Sequence, residues 1–76
     1  MRYTVIVERG HDPGMYVVSV PTLPGCFTQG GSIDQAQERI REAIAGHIVA
    51  LADLGEPVPV ETDPPLVTAV DVESAA

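Results

Sequence analysis

Three carboxylates in different parts of the chain could support metal-dependent chemistry. Glu8 lies in a predicted strand, Glu42 in a predicted helix and Asp71 in a predicted last strand. If they converged, their oxygens could hold a divalent metal ion. Their spacing along the chain is only a weak sign of convergence. We therefore predict no metal and no cofactor.

The single cysteine and the two histidines do not form a catalytic pattern. Cys26 could be a nucleophile, but the sequence places no His or Asp beside it. A lone cysteine at the start of a strand is typical of a small buried hydrophobic residue. His11 lies in a turn, where we expect it to face water, and His47 lies at the edge of an apolar stripe, where a half-buried histidine is more common than a ligand. We predict no catalytic residue and no enzymatic activity.

One face of the predicted helix carries acids at a spacing that suits binding. Asp34, Glu38 and Glu42 follow one another at four-residue intervals, and Val49 continues nearly the same line. Residues four apart are neighbours on a helix surface. These four residues are called the acidic strip. It is a candidate docking surface for a basic partner, and the other interpretation is a solvated face with one exposed valine.

The helix that carries the acidic strip is clearly marked at both ends. Ser32 followed by Gln35 matches a capping box, in which side chains satisfy free N–H groups of the first turn. Gly55 tolerates the left-handed conformation that ends many helices, and Pro57 forbids continuation. Opposite the acidic strip, a three- and four-residue periodicity predicts a buried stripe. Its members are Ile33, Ala36, Ile40, Ile44, His47, Ile48, Leu51 and Leu54.

Strand patterns precede the helix. Residues 2–9 and 15–20 are β-rich runs on either side of a five-residue loop of turn formers, which predicts a hairpin. Residues 26–29 predict a short third strand at a sheet edge. Alternation in the first strand indicates that three side chains face the helix, namely Tyr3, Val5 and Val7.

A further strand pattern follows the helix. Residues 56–65 carry four of the seven prolines and predict an extended connector, residues 66–72 predict a fourth strand, and residues 73–76 a frayed tail. A strand reached through a helical crossover is normally parallel to its neighbour. We therefore predict an α+β fold, β-β-β-α-β, in which a four-stranded mixed sheet of order 3-2-1-4 is covered by one helix on one face.

Composition limits the classes of function. The 76 residues carry eleven acids against four arginines and no lysine, for a net charge of −7. Direct nucleic-acid binding is therefore disfavoured, whereas a basic protein surface is a suitable partner. No apolar run reaches membrane-spanning length, and the first residues lead straight into a strand pattern instead of a signal peptide. We expect a cytoplasmic protein without membrane contact.

The size of the chain predicts one domain that associates with itself. A core without Trp is thin at this length, and Cys26 alone excludes an internal disulfide. One helix covers one side of a sheet, so Ile6 and part of the run 16–18 leave apolar atoms on the other side, which usually marks an interface. We expect a single domain over residues 1–76, ordered over residues 1–72, in a homo-oligomer.

Several segments, taken in order, resemble the HicB family of antitoxins. They are the strand and Leu-Pro-Gly-Cys turn within residues 16–30, the helix that begins after Ser32, and the Gly-Glu-Pro-Val-Pro sequence at residues 55–59. The resemblance spans residues 1–59. We expect structural roles for the residues that carry its motifs, which are Leu23, Pro24, Gly25, Cys26, Gly30, Gly55 and Pro57.

The resemblance implies both a fold and a partner. The implied fold is a partial ribonuclease H-like β-β-β-α-β arrangement. The implied function is to bind and neutralise HicA, a small basic toxin that cleaves mRNA, as a homo-oligomer such as a dimer or tetramer. The acidic composition and the uncovered sheet face agree with this interpretation.

Two departures from the family pattern leave alternatives open. Many HicB proteins carry a C-terminal DNA-binding domain, and residues 60–76 are too few and too acidic to form one. We therefore expect no direct binding of operator DNA. The family also contains members without a known toxin, so an oligomeric module that binds some other protein is a further hypothesis. Because the resemblance implies a ribonuclease H-like fold, the alternative hypothesis is a residual metal-dependent nuclease that cleaves RNA with Mg²⁺ or Mn²⁺ held by Glu8, Glu42 and Asp71.

Overall fold

The fold is a three-stranded antiparallel sheet covered on one face by a single helix. In the computed structural model, which describes residues 1–74, the strands are β1 (Ile6–Arg9), β2 (Tyr16–Ser19) and β3 (Phe27–Gly30), and the helix is α1 (Ile33–Asp53). The sheet order is β1-β2-β3. Residues 75 and 76, where the predicted domain and tail end, lie outside the described residues.

The predicted hairpin of the first two strands is confirmed. Arg9 of β1 pairs with Tyr16 of β2 in an antiparallel register. Just beyond this pair, the Gly10 N–H donates a hydrogen bond of 2.7 Å to the Met15 carbonyl. This bond closes the loop that connects β1 to β2. β3 pairs with the other edge of β2, so β2 is the central strand. Each strand is four residues long. β1 and β2 are therefore shorter than the β-rich runs that predict them, whereas β3 has the predicted length.

Both ends of α1 have the capping chemistry that the sequence predicts. The Ser32 Oγ accepts a hydrogen bond of 3.0 Å from the Gln35 N–H, and the Gln35 Oε1 accepts one of 2.6 Å from the Gly31 N–H. At the other end, Gly55 has a φ of 71°. Its N–H donates to the Ala52 carbonyl, which is one of the two bonds of a Schellman motif. These local bonds fix where the helix begins and ends.

The Leu-Pro-Gly-Cys segment forms the turn between β2 and β3. The Cys26 N–H donates to the Leu23 carbonyl at 3.0 Å, and Gly25 has a φ of 83°. Proline at the second position and a glycine with positive φ at the third are the pattern of a type II turn. The Val20 N–H then bonds to the Cys26 carbonyl at 3.1 Å and closes the loop. Leu23 and Cys26 are both buried as a result.

The core lies between β2, this turn and the first half of α1. The predicted alternation along residues 2–9 is confirmed, because Tyr3 and Val5 before β1 and Val7 within it are partly buried against the core on the helix side. The buried residues are Val18, Val20, Leu23, Cys26, Ala36 and Ile40.

The predicted fourth strand, mixed sheet and strand order 3-2-1-4 are wrong. Residues 66–72 form no strand, so the described residues follow the order β-β-β-α, and the ribonuclease H-like arrangement implied by the resemblance is not supported. The Glu61 carboxylate instead accepts the Thr4 N–H at 3.0 and 3.2 Å and the Thr4 hydroxyl at 3.1 Å. A side chain thus occupies a donor that a pairing strand would use. Pro64 and Pro65 follow directly and have no N–H to donate.

The predicted apolar stripe of α1 is buried only in part. Ala36 and Ile40 are buried, whereas Ile33 and Leu54 at the two ends are exposed. A helix of 21 residues is about 32 Å long, but a four-residue strand spans only about 13 Å. The helix therefore extends beyond the sheet that it covers.

Substitution by alanine should have opposite effects on stability at Gly46 and at Gly55. Gly55→Ala should lower the free energy of unfolding by about 1 kcal/mol, because it places a Cβ on a left-handed residue. Gly46→Ala should raise it by up to about 1 kcal/mol, since Gly46 is inside α1 and an added Cβ would meet open space. Urea denaturation of the two variants measures both changes. Equal effects of the two substitutions would contradict this account of the helix end.

Candidate protein-binding surface

The acidic strip lies on the exposed face of α1. Asp34, Glu38 and Glu42 are exposed, and Val49 exposes 58% of its surface. Because α1 packs against β3 and β2 through the opposite face, these four side chains project away from the sheet. The strip is about 22 Å long at 1.5 Å per helical residue. It is long enough to contact a small protein over several turns.

The charges around the acidic strip are only weakly neutralised. Glu38 lies 3.6 Å from the Arg41 guanidinium in an exposed ion pair, which contributes little to stability. The neighbouring Arg39 donates a hydrogen bond of 3.0 Å to the Gln29 carbonyl on β3. Within residues 1–74, Asp34 and Glu42 form no ion pair. The strip therefore presents net negative charge to solvent.

A second exposed surface lies on the face of the sheet that α1 does not cover. Ile6 and Val17 are half-buried there, as the sequence predicts. Phe27 also lies on this face and is 67% exposed, and sequence analysis did not single it out. The signal was available, because strand alternation turns Phe27 outward when its neighbour Cys26 is buried. Val17 and Phe27 line a shallow depression of about 290 Å³.

The structure does not bring the three carboxylates of the nuclease hypothesis together. Glu8 is on the uncovered face of the sheet, Glu42 is in the acidic strip and Asp71 is in the exposed segment after the helix. Among residues 1–74, no group of three His, Cys, Asp or Glu side chains is placed to hold a metal ion. The residues on which that hypothesis depends therefore lie on separate surfaces.

Cys26 and the two histidines also lie in different parts of the fold. Cys26 is buried in the turn between β2 and β3, and burial raises the pKa of its thiol. His47 is half-buried on α1, and His11 is exposed in the hairpin turn.

In the described part of the chain, no helix is both long and apolar enough to cross a membrane.

The fold and these surfaces define a small α+β domain in which one face of a single helix and one face of a sheet are open. A family model described as a HicB-like antitoxin of bacterial toxin–antitoxin systems matches residues 3–72. Because that match covers nearly the whole chain, the protein belongs to the HicB-like antitoxin family.

A solved structure and proteins of known sequence are similar to this chain. The N-terminal domain of the Burkholderia pseudomallei antitoxin HicB has a TM-score of 0.64 and 41% identity, over 74% of this chain and 65% of that one. A UPF0150 protein of Thermoplasma acidophilum is 49% identical over 59 residues, which is 78% of this chain and 84% of the relative. A UPF0150 protein of Archaeoglobus fulgidus is 50% identical over 44 residues, 58% of this chain and 62% of the relative. The matched region thus spans less than two thirds of the Burkholderia and Archaeoglobus chains.

Cys26 should behave as a buried structural thiol. Because its pKa is raised, less thiolate forms at neutral pH than in a free cysteine. We expect alkylation by iodoacetamide at pH 7 to be at least about tenfold slower in the folded chain than in urea. The folded state also holds the thiol proton more tightly than the unfolded state, so this contribution to the free energy of unfolding is complete at neutral pH and is lost as the pH rises through the alkaline range. Equal alkylation rates in the two states would contradict this assignment, and Cys26→Ala should remove the alkaline loss.

Proposed function

We propose that this protein is a non-enzymatic, cytoplasmic antitoxin that neutralises a small basic mRNA interferase of the HicA type. Membership of the HicB-like antitoxin family supports the general role. The observation that carries the proposal for this chain is the exposed acidic strip on α1, Asp34, Glu38, Glu42 and Val49. Binding of this strip to the toxin would mask the basic surface that the toxin needs to hold RNA.

The charge of the chain favours such a partner. A protein with a net charge of −7 and no lysine repels phosphate backbones and attracts a basic surface. Residues 60–76 contain four acids and no basic residue, so we assign them no DNA-binding role. Electrostatic potentials of opposite sign on the two proteins mainly raise the rate of association and exclude wrong partners.

Affinity requires an apolar anchor as well as charge. Exposed ion pairs each contribute about 0–1 kcal/mol and are screened by salt. Val49 supplies an exposed apolar side chain three turns beyond Glu38 on nearly the same line of α1. We propose that the acids guide association and that Val49 is buried in the complex, which would slow dissociation.

The positions of the reactive groups support a non-enzymatic role. Cys26 is buried in a turn, and Glu8, Glu42 and Asp71 lie on three separate surfaces. Neutralisation would then depend on occupying the toxin surface, without chemistry by the antitoxin.

Co-expression with the small open reading frame next to the gene tests the proposed function. We expect expression of that reading frame alone to stop growth and co-expression of this chain to restore it, with the two proteins co-purifying. If the neighbour is harmless or does not bind, the proposal of a HicA-type partner is wrong.

Charge reversal on the acidic strip tests the proposed contact. Glu38→Lys combined with Glu42→Lys should weaken toxin binding roughly tenfold or more and flatten its dependence on salt, because the attraction that speeds association is lost. Surface plasmon resonance at several salt concentrations measures both effects.

A matched control separates the acidic strip from net charge. Asp12→Lys combined with Glu56→Lys makes the same change in net charge at exposed positions in the hairpin turn and after the helix. We expect a clearly smaller loss of affinity. Equal losses in the two variants would show that only net charge matters, and unchanged affinity of the first variant would exclude the strip from the interface.

A further inference from the structure

An open groove with a mixed polar and apolar lining lies between the N-terminal segment and the first half of α1. Its volume is about 390 Å³. Its apolar floor is formed by Tyr3 and Val5 from the segment that leads into β1 and by Ile40 and Ile44 from the helix. Among the strands, α1 packs on β3 and β2. Tyr3 and Val5 contact the core only in part, and the groove is the space left between them and the helix.

The rim of this groove is basic in an otherwise acidic protein. Arg2 and Arg41, two of the four arginines, line it together with Gln37. In the monomer Arg41 forms an exposed ion pair with Glu38, and a molecule bound in the groove would compete with Glu38 for this arginine. An occupant that combines apolar side chains with carboxylates would therefore match both the floor and the rim.

Residues 66–73 have that composition and are exposed in the monomer. Residues 66–73 contain five apolar residues, and the larger ones are almost fully exposed, with Leu66 at 89% and Val70 at 81%. Their two charged residues are acids, Asp71 and Glu73. Soluble monomers rarely expose a continuous apolar segment of this kind without a partner.

Residues 66–73 do not line the groove of their own chain, although the chain before them is held close to the N-terminal segment. The Glu61 carboxylate is held by the backbone and hydroxyl of Thr4, so the chain at residue 61 is fixed beside the N-terminal segment. Pro64 and Pro65 then fix an extended backbone. The residues that follow do not line the groove, and the molecule is elongated to 48 Å in its longest dimension.

We propose that two copies of this protein exchange these segments, so that residues 66–73 of each copy fill the groove of the other. The apolar side chains would contact the floor, and the acids would pair with Arg2 and Arg41 of the second copy. In a two-fold symmetric dimer each contact is made twice, so one groove and one segment per copy are sufficient to form it. The acidic strip on the outer face of α1 would stay available in this dimer.

Sedimentation analysis of the full chain tests whether the apolar contact exists. We expect the wild-type protein to dimerise, and Leu66→Asp combined with Val70→Asp to raise the dimer dissociation constant at least about a hundredfold. Both side chains are exposed in the monomer, so circular dichroism should show an unchanged fold. The matched control Phe27→Asp combined with Leu54→Asp changes two exposed apolar residues outside the groove and should remain dimeric. A wild-type chain that is monomeric at all soluble concentrations overturns the proposal.

A charge-swap experiment tests whether the exchange is between copies. One variant reverses the groove with Arg2→Glu and Arg41→Glu, and the other reverses the segment with Asp71→Arg and Glu73→Arg. Each variant alone should be mainly monomeric, because its groove and segments carry like charges. A mixture of the two should form a heterodimer in which both contacts are attractive. Failure of the mixture to dimerise overturns the proposal, whether or not the variants still bind a toxin, so this result is independent of the proposed antitoxin function.

Discussion

The position of α1 depends on the absence of a side chain at Gly30. A Cβ at this position would lie 2.7 Å from the Ala36 nitrogen and 3.0 Å from the Ala36 Cα, so only glycine lets the first turns of the helix approach the end of β3. This close approach, together with the Ser32 cap that accepts the Gln35 N–H, sets the rotation of α1 about its axis. Ala36 and Ile40 are therefore buried, and the acidic strip faces solvent. The surface proposed to bind a toxin is thus a consequence of how the helix packs.

The helix is longer than the sheet, and this mismatch leaves apolar surface exposed. Short strands cannot cover a helix of six turns, and an open groove remains between α1 and the segment before β1. A small core of this kind leaves apolar surface on several sides, which additional protein must cover. The groove lined by Arg2 and Arg41 and the exposed residues 66–73 are two complementary parts of that surface. Self-association and toxin binding would then use neighbouring surfaces, which meet at the ion pair between Arg41 and Glu38.

The sequence predicted the features that depend on local chemistry. The hairpin, both helix ends and the outward direction of Asp34, Glu38 and Glu42 follow from turn residues, caps and a 3.6-residue period. The fourth strand was wrong because a β-rich composition in residues 66–72 says nothing about whether a sheet edge is free to pair. The bond from Thr4 to Glu61 joins residues 57 positions apart, and no local pattern indicates it. The groove was missed for the same reason, since Tyr3 and Ile40 meet only in the folded chain.

The most direct test of the central claim is a map of the toxin contact on the full chain by NMR. An amide spectrum of the labelled protein, recorded while the purified toxin is added, reports which residues change their surroundings. The account predicts that the largest shifts lie along the acidic strip, from Asp34 to Val49, while Val17 and Phe27 on the uncovered sheet face change little. Shifts concentrated on Val17 and Phe27, with the strip unchanged, would contradict the account and place the toxin on the sheet.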